Sequence, residues 1–458
     1  MNCKRQNDSQ SYPNLSGGRR WLLPLLQRNC LALLVLFSSS VSGQTLDLRV
    51  EAKANYRDSQ QAKFPVGFPF APVALPPGAS NAFIETVEQG EHGEVSLISV
   101  AGKWRLAKSW QVQFKVDAVD LYDRNPTSGD NKIDLDAFFV RYGEAFGATK
   151  IPAQNSFYGQ IGKFKKFEQQ RERRTESYGV VSTAFNRFED SGLEAGFDLA
   201  SGFYGRLTYT TGNPVFIRDA NALAGDNGTE EFRVPPNANP NPDLKSGIVM
   251  LYDAEIEDFD LSSDPELGVG FGYRWNSADQ KHKLDVLAYH YQRDLAETRE
   301  LTGTFYGGDL DLFDLSEVPG GENVRLPFSG NDKTESGLTA WYYAGDFSLF
   351  AQYVEQDLAN LDRDGFEVEL SYVFDWPVVV TPVVRYSKLN NNFSSPRAFP
   401  TPSLQWDWRR VDYAVNLDFT DNIRLILEYA NNEVLRAGRW EDQNELLLTL
   451  RWQFDYQR

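Results

Sequence analysis

The stretch from Val411 to Tyr456 constrains the fold more than any other. Val411, Tyr413, Val415, Leu417 and Phe419 alternate with Asp412, Ala414, Asn416 and Asp418. After Thr420-Asp421-Asn422, the residues Ile423, Leu425, Leu427 and Tyr429 alternate with Arg424, Ile426, Glu428 and Ala430. A last run sets Leu446, Leu448, Leu450, Trp452 and Phe454 against Leu447, Thr449, Arg451, Gln453 and Asp455. Sustained period-two alternation gives a strand one apolar and one wet face. Aromatic residues at the end of the apolar face, on a strand that closes the chain, predict an all-β fold, a transmembrane antiparallel β-barrel.

The same alternation begins at Leu46, Leu48, Val50, Ala52, Ala54 and Tyr56, and it recurs along the chain. It predicts strands over about 94–106, 110–122, 133–143, 156–164, 190–200 and 203–212. Others follow over 266–276, 282–293, 335–344, 347–357, 364–374, 379–389, 409–420, 423–432 and 442–456. The total is sixteen, an even count of the kind bacterial outer-membrane barrels use. The stretch 248–256 is also strand-like; it is either a hairpin in the fourth outer loop or the source of an eighteen-stranded barrel. Short connections alternate with long ones rich in Pro, Gly, Asn and Asp. That predicts short periplasmic turns and long outer loops, with 144–155 an unexpectedly long turn.

No stretch beyond the N-terminus approaches the roughly 20 apolar residues a membrane helix needs. The chain is 14% aromatic over 458 residues, with 10 Trp and 21 Tyr, which suits the interface girdles of a barrel. Lys4, Arg5, Arg19, Arg20 and Arg28 precede the apolar run Leu31–Phe37 and the small residues 38–43. This pattern predicts a signal peptide over 1–43, with the barrel over 44–458 and no plug domain between them. Both cysteines, Cys3 and Cys30, fall in that leader, so neither disulfides nor thiolate metal sites are expected. Loss of its five Lys/Arg and one Asp takes the net charge from -18 to -22, which argues against nucleic-acid binding.

Alternation assigns Lys103, Arg105, Lys115, Asp117, Glu194, Asp198, Arg206, Glu367, Glu369, Arg424, Glu428 and Arg451 to the lumen. A sixteen-stranded barrel is wide enough for an aqueous channel. Lys163, Lys165, Lys166, Arg171, Arg173 and Arg174 place six basic residues within 163–174, from the fifth strand into the third outer loop. In a lumenal constriction they would favour anions, acting with Arg206 across the lumen. On an outward rim they would bind lipopolysaccharide phosphates. The acidic residues Asp253, Glu255, Glu257, Asp258, Asp260, Asp264 and Glu266, with Asp309, Asp311, Asp314 and Glu317, match no calcium-loop spacing.

Phe157-Tyr158-Gly159-Gln160-Ile161-Gly162-Lys163-Phe164-Lys165, a charged loop and Ser191-Gly192-Leu193-Glu194-Ala195-Gly196 together resemble the phosphate-selective porin O/P-like family. The segments Gly365–Tyr372, Arg410–Leu417 and Asp421–Leu425 are similar to it as well. The resemblance implies a trimeric anion porin whose Gly-x-Phe-Lys strand leads into the constriction. Lys166-Phe167 stands where that family has Pro-Phe.

Catalysis is not expected. Only His92, His282 and His290 are available, and neither Gly-x-Ser-x-Gly nor His-Glu-x-x-His occurs. The reading is a Gram-negative outer-membrane porin without cofactors or metals, passing small hydrophilic solutes or anions by diffusion. Its expected partners are membrane lipid, lipopolysaccharide and two further copies in a homotrimer. The competing reading is a plugged, surface-binding (adhesin-like) barrel without transport.

Overall fold

The computed structural model describes residues 45–60, 63–66, 82–85, 90–119, 133–147, 149–168, 173–185, 189–212, 215–216, 231–233, 250–252, 261, 264–295, 302–305, 308–311, 332–392, 407–436 and 439–457. The expected leader 1–43, Arg171 and the acidic residues Asp253, Glu255, Glu257, Asp258, Asp260, Asp314 and Glu317 lie outside them.

Sixteen strands form the wall: β1 (Thr45–Ser59), β2 (Gly90–Arg105), β3 (Trp110–Val119), β4 (Ile133–Gly143), β5 (Ser156–Lys165), β6 (Glu189–Asp198), β7 (Phe203–Thr210) and β8 (Glu266–Asn276). The second half holds β9 (His282–Asp294), β10 (Asp332–Ala344), β11 (Phe347–Leu358), β12 (Leu361–Tyr372), β13 (Val379–Asn391), β14 (Asp407–Thr420), β15 (Ile423–Arg436) and β16 (Glu445–Gln457). Each pairs antiparallel with its sequence neighbour, and β16 returns to β1 in a register running from Asp47↔Gln457 to Ser59↔Glu445. Every backbone edge is thereby paired, which is the condition for a sheet to cross lipid.

The side chains are arranged inside out. Large apolar residues face outward and are exposed, among them Phe157, Leu193, Leu207, Phe271, Leu338, Leu427 and Leu450. Inward positions are polar and buried, such as Gln160, Glu194, Thr339, Gln352, Arg385 and Asn432. Near the short-turn end the exposed face carries Trp110, Tyr142, Phe203, Trp275, Trp376, Phe419 and Phe454. Farther up stand Tyr56, Tyr209, Tyr353, Tyr386, Tyr413 and Tyr429. An apolar band bounded by two aromatic belts is the lipid-facing surface of an outer-membrane barrel. The chain is a protein of that membrane.

All sixteen expected strands are present. Of the stretch 248–256 only Met250–Tyr252 is described, and it joins a small sheet with Val215–Phe216, Thr302–Phe305 and Gly308–Asp311 outside the wall. A further short strand, Arg439–Asp442, pairs with the upper end of β15. Turns 106–109, 199–202, 277–281, 345–346, 373–378 and 421–422 lie at the end that holds Thr45 and Gln457. One outer connection is shorter than alternation predicts: pairing continues to Leu358↔Leu361, leaving only Ala359 and Asn360. Both have positive φ, 53° and 68°, the backbone of a two-residue hairpin whose twist matches its strands.

Candidate functional site

The third outer loop crosses the lumen. It leaves β5 at Lys165, and Phe167 stacks on Tyr291 of β9 with centroids 5.3 Å apart. The Tyr291 hydroxyl donates to Glu168 at 2.5 Å. Farther along, Lys53 of β1 holds the Glu176 carboxylate at 3.2 Å. The backbone N–H of Glu176 donates to Glu428 of β15 at 2.6 Å, and the side chain of Asn416 on β14 donates to the Arg174 carbonyl at 2.9 Å. Ser177 sits in a cage of charges. Its hydroxyl donates to Glu428, and Arg385 of β13 donates to its Oγ and carbonyl at 2.5 and 3.0 Å. Arg385 also bonds Asp412 at 2.9 Å, and Arg410 lies 3.2 Å from the same carboxylate.

A single turn of helix, α1 (Val180–Ala184), follows and lies against β12 and β13. The Val180 N–H donates to Ser387 at 3.4 Å, and the Arg363 guanidinium lies 4.9 Å from the Phe185 ring centroid. Gly179 approaches the Glu367 carboxylate so closely that a Cβ there would require the carboxylate to shift. Buried charges are tolerated when each has an opposite charge and hydrogen bonds. That condition fixes the loop on the β12–β15 wall.

Connection 144–155 supplies a second intrusion from the other end. Its length is used to fold inward. Phe146 and Thr149 donate backbone N–H groups to Asp198 and Asp285, each at 3.3 Å. Arg274 of β8 binds Asp198 at 2.6 Å and Asp285 at 3.1 Å, and it also donates to the Phe146 carbonyl at 2.9 Å. Asn276 donates to the Thr149 carbonyl at 3.1 Å. Arg206 completes the cluster on Asp198 at 2.9 Å.

Between these intrusions lies a chamber of about 880 Å³, bordered by Lys165–Phe167 above and Ala145–Gly147 below. Seven basic residues line it, Arg49, Lys103, Lys115, Arg141, Lys165, Lys166 and Arg206, against three acidic ones, Asp47, Glu194 and Asp455. Their surroundings differ. Lys115 is held by Asp117 at 2.6 Å and Asp136 at 2.8 Å, while Arg49 is paired with Asp455 at 2.7 Å. Arg141 instead donates to the neutral Gln160, from Nε at 2.7 Å and from Nη2 at 2.5 Å. Neither Arg141 nor Lys103 makes an ion pair with a described residue.

The described residues of the basic run 163–174 are not brought together in one place. Lys163 stands opposite the exposed Phe138 in register, on the outward face of β5. Lys165 borders the chamber and lies 3.5 Å from Glu189. Lys166 is buried; it binds Glu266 of β8, lies 3.8 Å from Asp190 and sits 4.3 Å from the Tyr291 ring centroid. Arg173 lies 3.7 Å from the Tyr178 ring centroid within the loop, and Arg174 follows it toward β14. Arg206 shares the β5–β7 wall with Lys165 and Lys166, so it does not face them across the lumen. Alternation places Lys103 inward but does not show that it makes no ion pair with a described residue. Arg141, Arg274 and Arg385 were missed because only the folded loops distinguish them from other inward arginines.

Of the six expected lumenal acids, Glu367, Glu369 and Glu428 are buried on the loop-bearing wall, and Asp117, Glu194 and Asp198 are buried on the opposite part of the barrel. His290 faces outward, 2.8 Å from the Ser336 hydroxyl, as an interface residue would.

No family model and no curated protein matches the chain. Among solved structures it is similar to the outer-membrane channel DcaP of Acinetobacter baumannii, at 10% identity over 91% of this chain and 99% of that one, with a TM-score of 0.48. It is also similar to OprB of Pseudomonas putida, at 11% identity over 94% and 97%, TM-score 0.49. A third is OmpF of Salmonella typhi, at 12% identity over 90% and 98%, TM-score 0.47.

Proposed function

We propose that this barrel is a diffusion porin for small hydrophilic solutes that prefers anions, as the porin O/P-like resemblance implies. The observation that carries the reading is the chamber, where basic side chains outnumber acidic ones seven to three. In a narrow, partly dehydrated passage such an excess attracts anions and repels cations. Lys103 and Arg141 are the principal ligands, because neither makes an ion pair with a carboxylate among the described residues and both border the chamber. Lys165, Lys166 and Arg206 line the same wall, each beside a carboxylate, of Glu189, Glu266 and Asp198 in turn. The third outer loop and connection 144–155 narrow the path and force solutes past these groups.

The test is the zero-current potential of the reconstituted protein in a planar bilayer under a potassium chloride gradient. A potential on the chloride side supports the reading. A potential on the potassium side, or a bilayer without current, overturns it.

A further inference from the structure

The chamber's cationic groups stand among aromatic rings. The Arg141 guanidinium carbon lies 5.1 Å from the Phe139 ring centroid and 5.2 Å from that of Tyr158. Phe139 is buried, and Phe164 meets it edge to face at 6.2 Å and 83°. From the inward connection, Phe146 borders the same space. Lys103 is one rung away: it pairs with Gln113, which pairs with Phe139, while Arg141 occupies the next rung with Gln111.

A small anion gains charge attraction and hydrogen bonds from such a site but no ring contact, and it has to shed water to enter. An anion with a flat apolar body gains twice, from the guanidinium fork and from ring contact. The volume of about 880 Å³ lies within the range of sites that enclose a small organic ligand. We infer that the chamber is a transit site for aromatic monocarboxylates, with the carboxylate on Arg141 and Lys103 and the ring against Phe139 and Phe146. This rests on the anion-porin reading and adds a solute class to it. Gln160 holds the Arg141 fork in place, and Lys165, Lys166 and Phe167 border the chamber on the outer side.

The experiment measures chloride current through the whole barrel while sodium benzoate, sodium acetate or inorganic phosphate is added. Benzoate is expected to interrupt the current at about tenfold lower concentration than acetate, the difference one ring contact supplies. Arg141→Lys keeps the charge but loses the fork, and it is expected to raise the benzoate concentration needed. Phe139→Leu is expected to raise the benzoate concentration needed to the level of acetate. Unheated gel mobility confirms that each variant has folded. If Phe139→Leu does not fold, Phe146→Leu, which lies in a connection, gives the same comparison. Equal concentrations for benzoate and acetate in the unaltered protein, with chloride preference intact, would overturn the aromatic site and leave the anion porin standing. A potassium preference would remove both.

Discussion

Two walls of this barrel carry arginine at inward positions, with opposite consequences. On the β12–β15 wall Arg385 and Arg410 are fully buried, bonded to Asp412 and covered by the third outer loop. On the β2–β5 wall Arg141 is half-buried, bonded to a glutamine and open to the chamber. The first group spends its charge on holding a loop; the second leaves its charge for a passing solute. Where the loop docks decides which arginines act on solutes.

Breaking the loop-bearing wall should have the largest effect. Arg385→Ala removes the cation that ties Asp412 to the Ser177 hydroxyl and carbonyl and leaves Asp412 with Arg410 alone, a loss of about 3 kcal/mol for a buried pair broken on one side. The loop should leave the wall, and single-channel conductance should rise with added open-channel noise. Unchanged conductance would mean that the loop is held elsewhere.

Arg274→Met tests connection 144–155 in the same way. Asp198 keeps Arg206 and Asp285 keeps the Tyr204 hydroxyl at 2.5 Å, so the loss is smaller, about 2–3 kcal/mol. A thiol placed at Thr149 should then react faster with a membrane-impermeant reagent than it does in the background with Arg274. Gly179→Ala sharpens the steric side of the comparison, since its Cβ falls on the Glu367 carboxylate. Overpacking of that kind costs about 1–3 kcal/mol and should raise conductance in the direction of Arg385→Ala, by less. The smallest expected effect is at the outer hairpin. Ala359→Gly removes a positive-φ alanine and should stabilise the barrel by about 1 kcal/mol, seen as a higher temperature for loss of the folded gel band.

The wall itself was readable because lipid imposes a strict rule. Phe157, Ile161, Leu193 and Leu450 have to point outward, and each fixes the face of its whole strand. The sites where reading failed follow a different rule. Connection 144–155 looked like an overlong turn, because nothing local shows that its N–H and C=O groups are satisfied by Asp198, Asp285 and Arg274. Lys163 looked like part of a selector because it stands in a basic run, yet one step of alternation turns it to the outside. Ala359-Asn360 carries no glycine, so a two-residue hairpin was not expected there. Most of the lumen's organisation comes from contacts between residues far apart in sequence, such as Ser177 with Glu428 and Arg385.

The most direct test compares zero-current potentials of three proteins under one salt gradient: the unaltered chain, Lys103→Gln with Arg141→Gln, and Arg173→Gln with Arg174→Gln. The account predicts a large shift toward cations for the first pair and a small one for the second. A larger shift for the loop pair would place selectivity in the basic run and contradict the assignment to the β2–β5 wall.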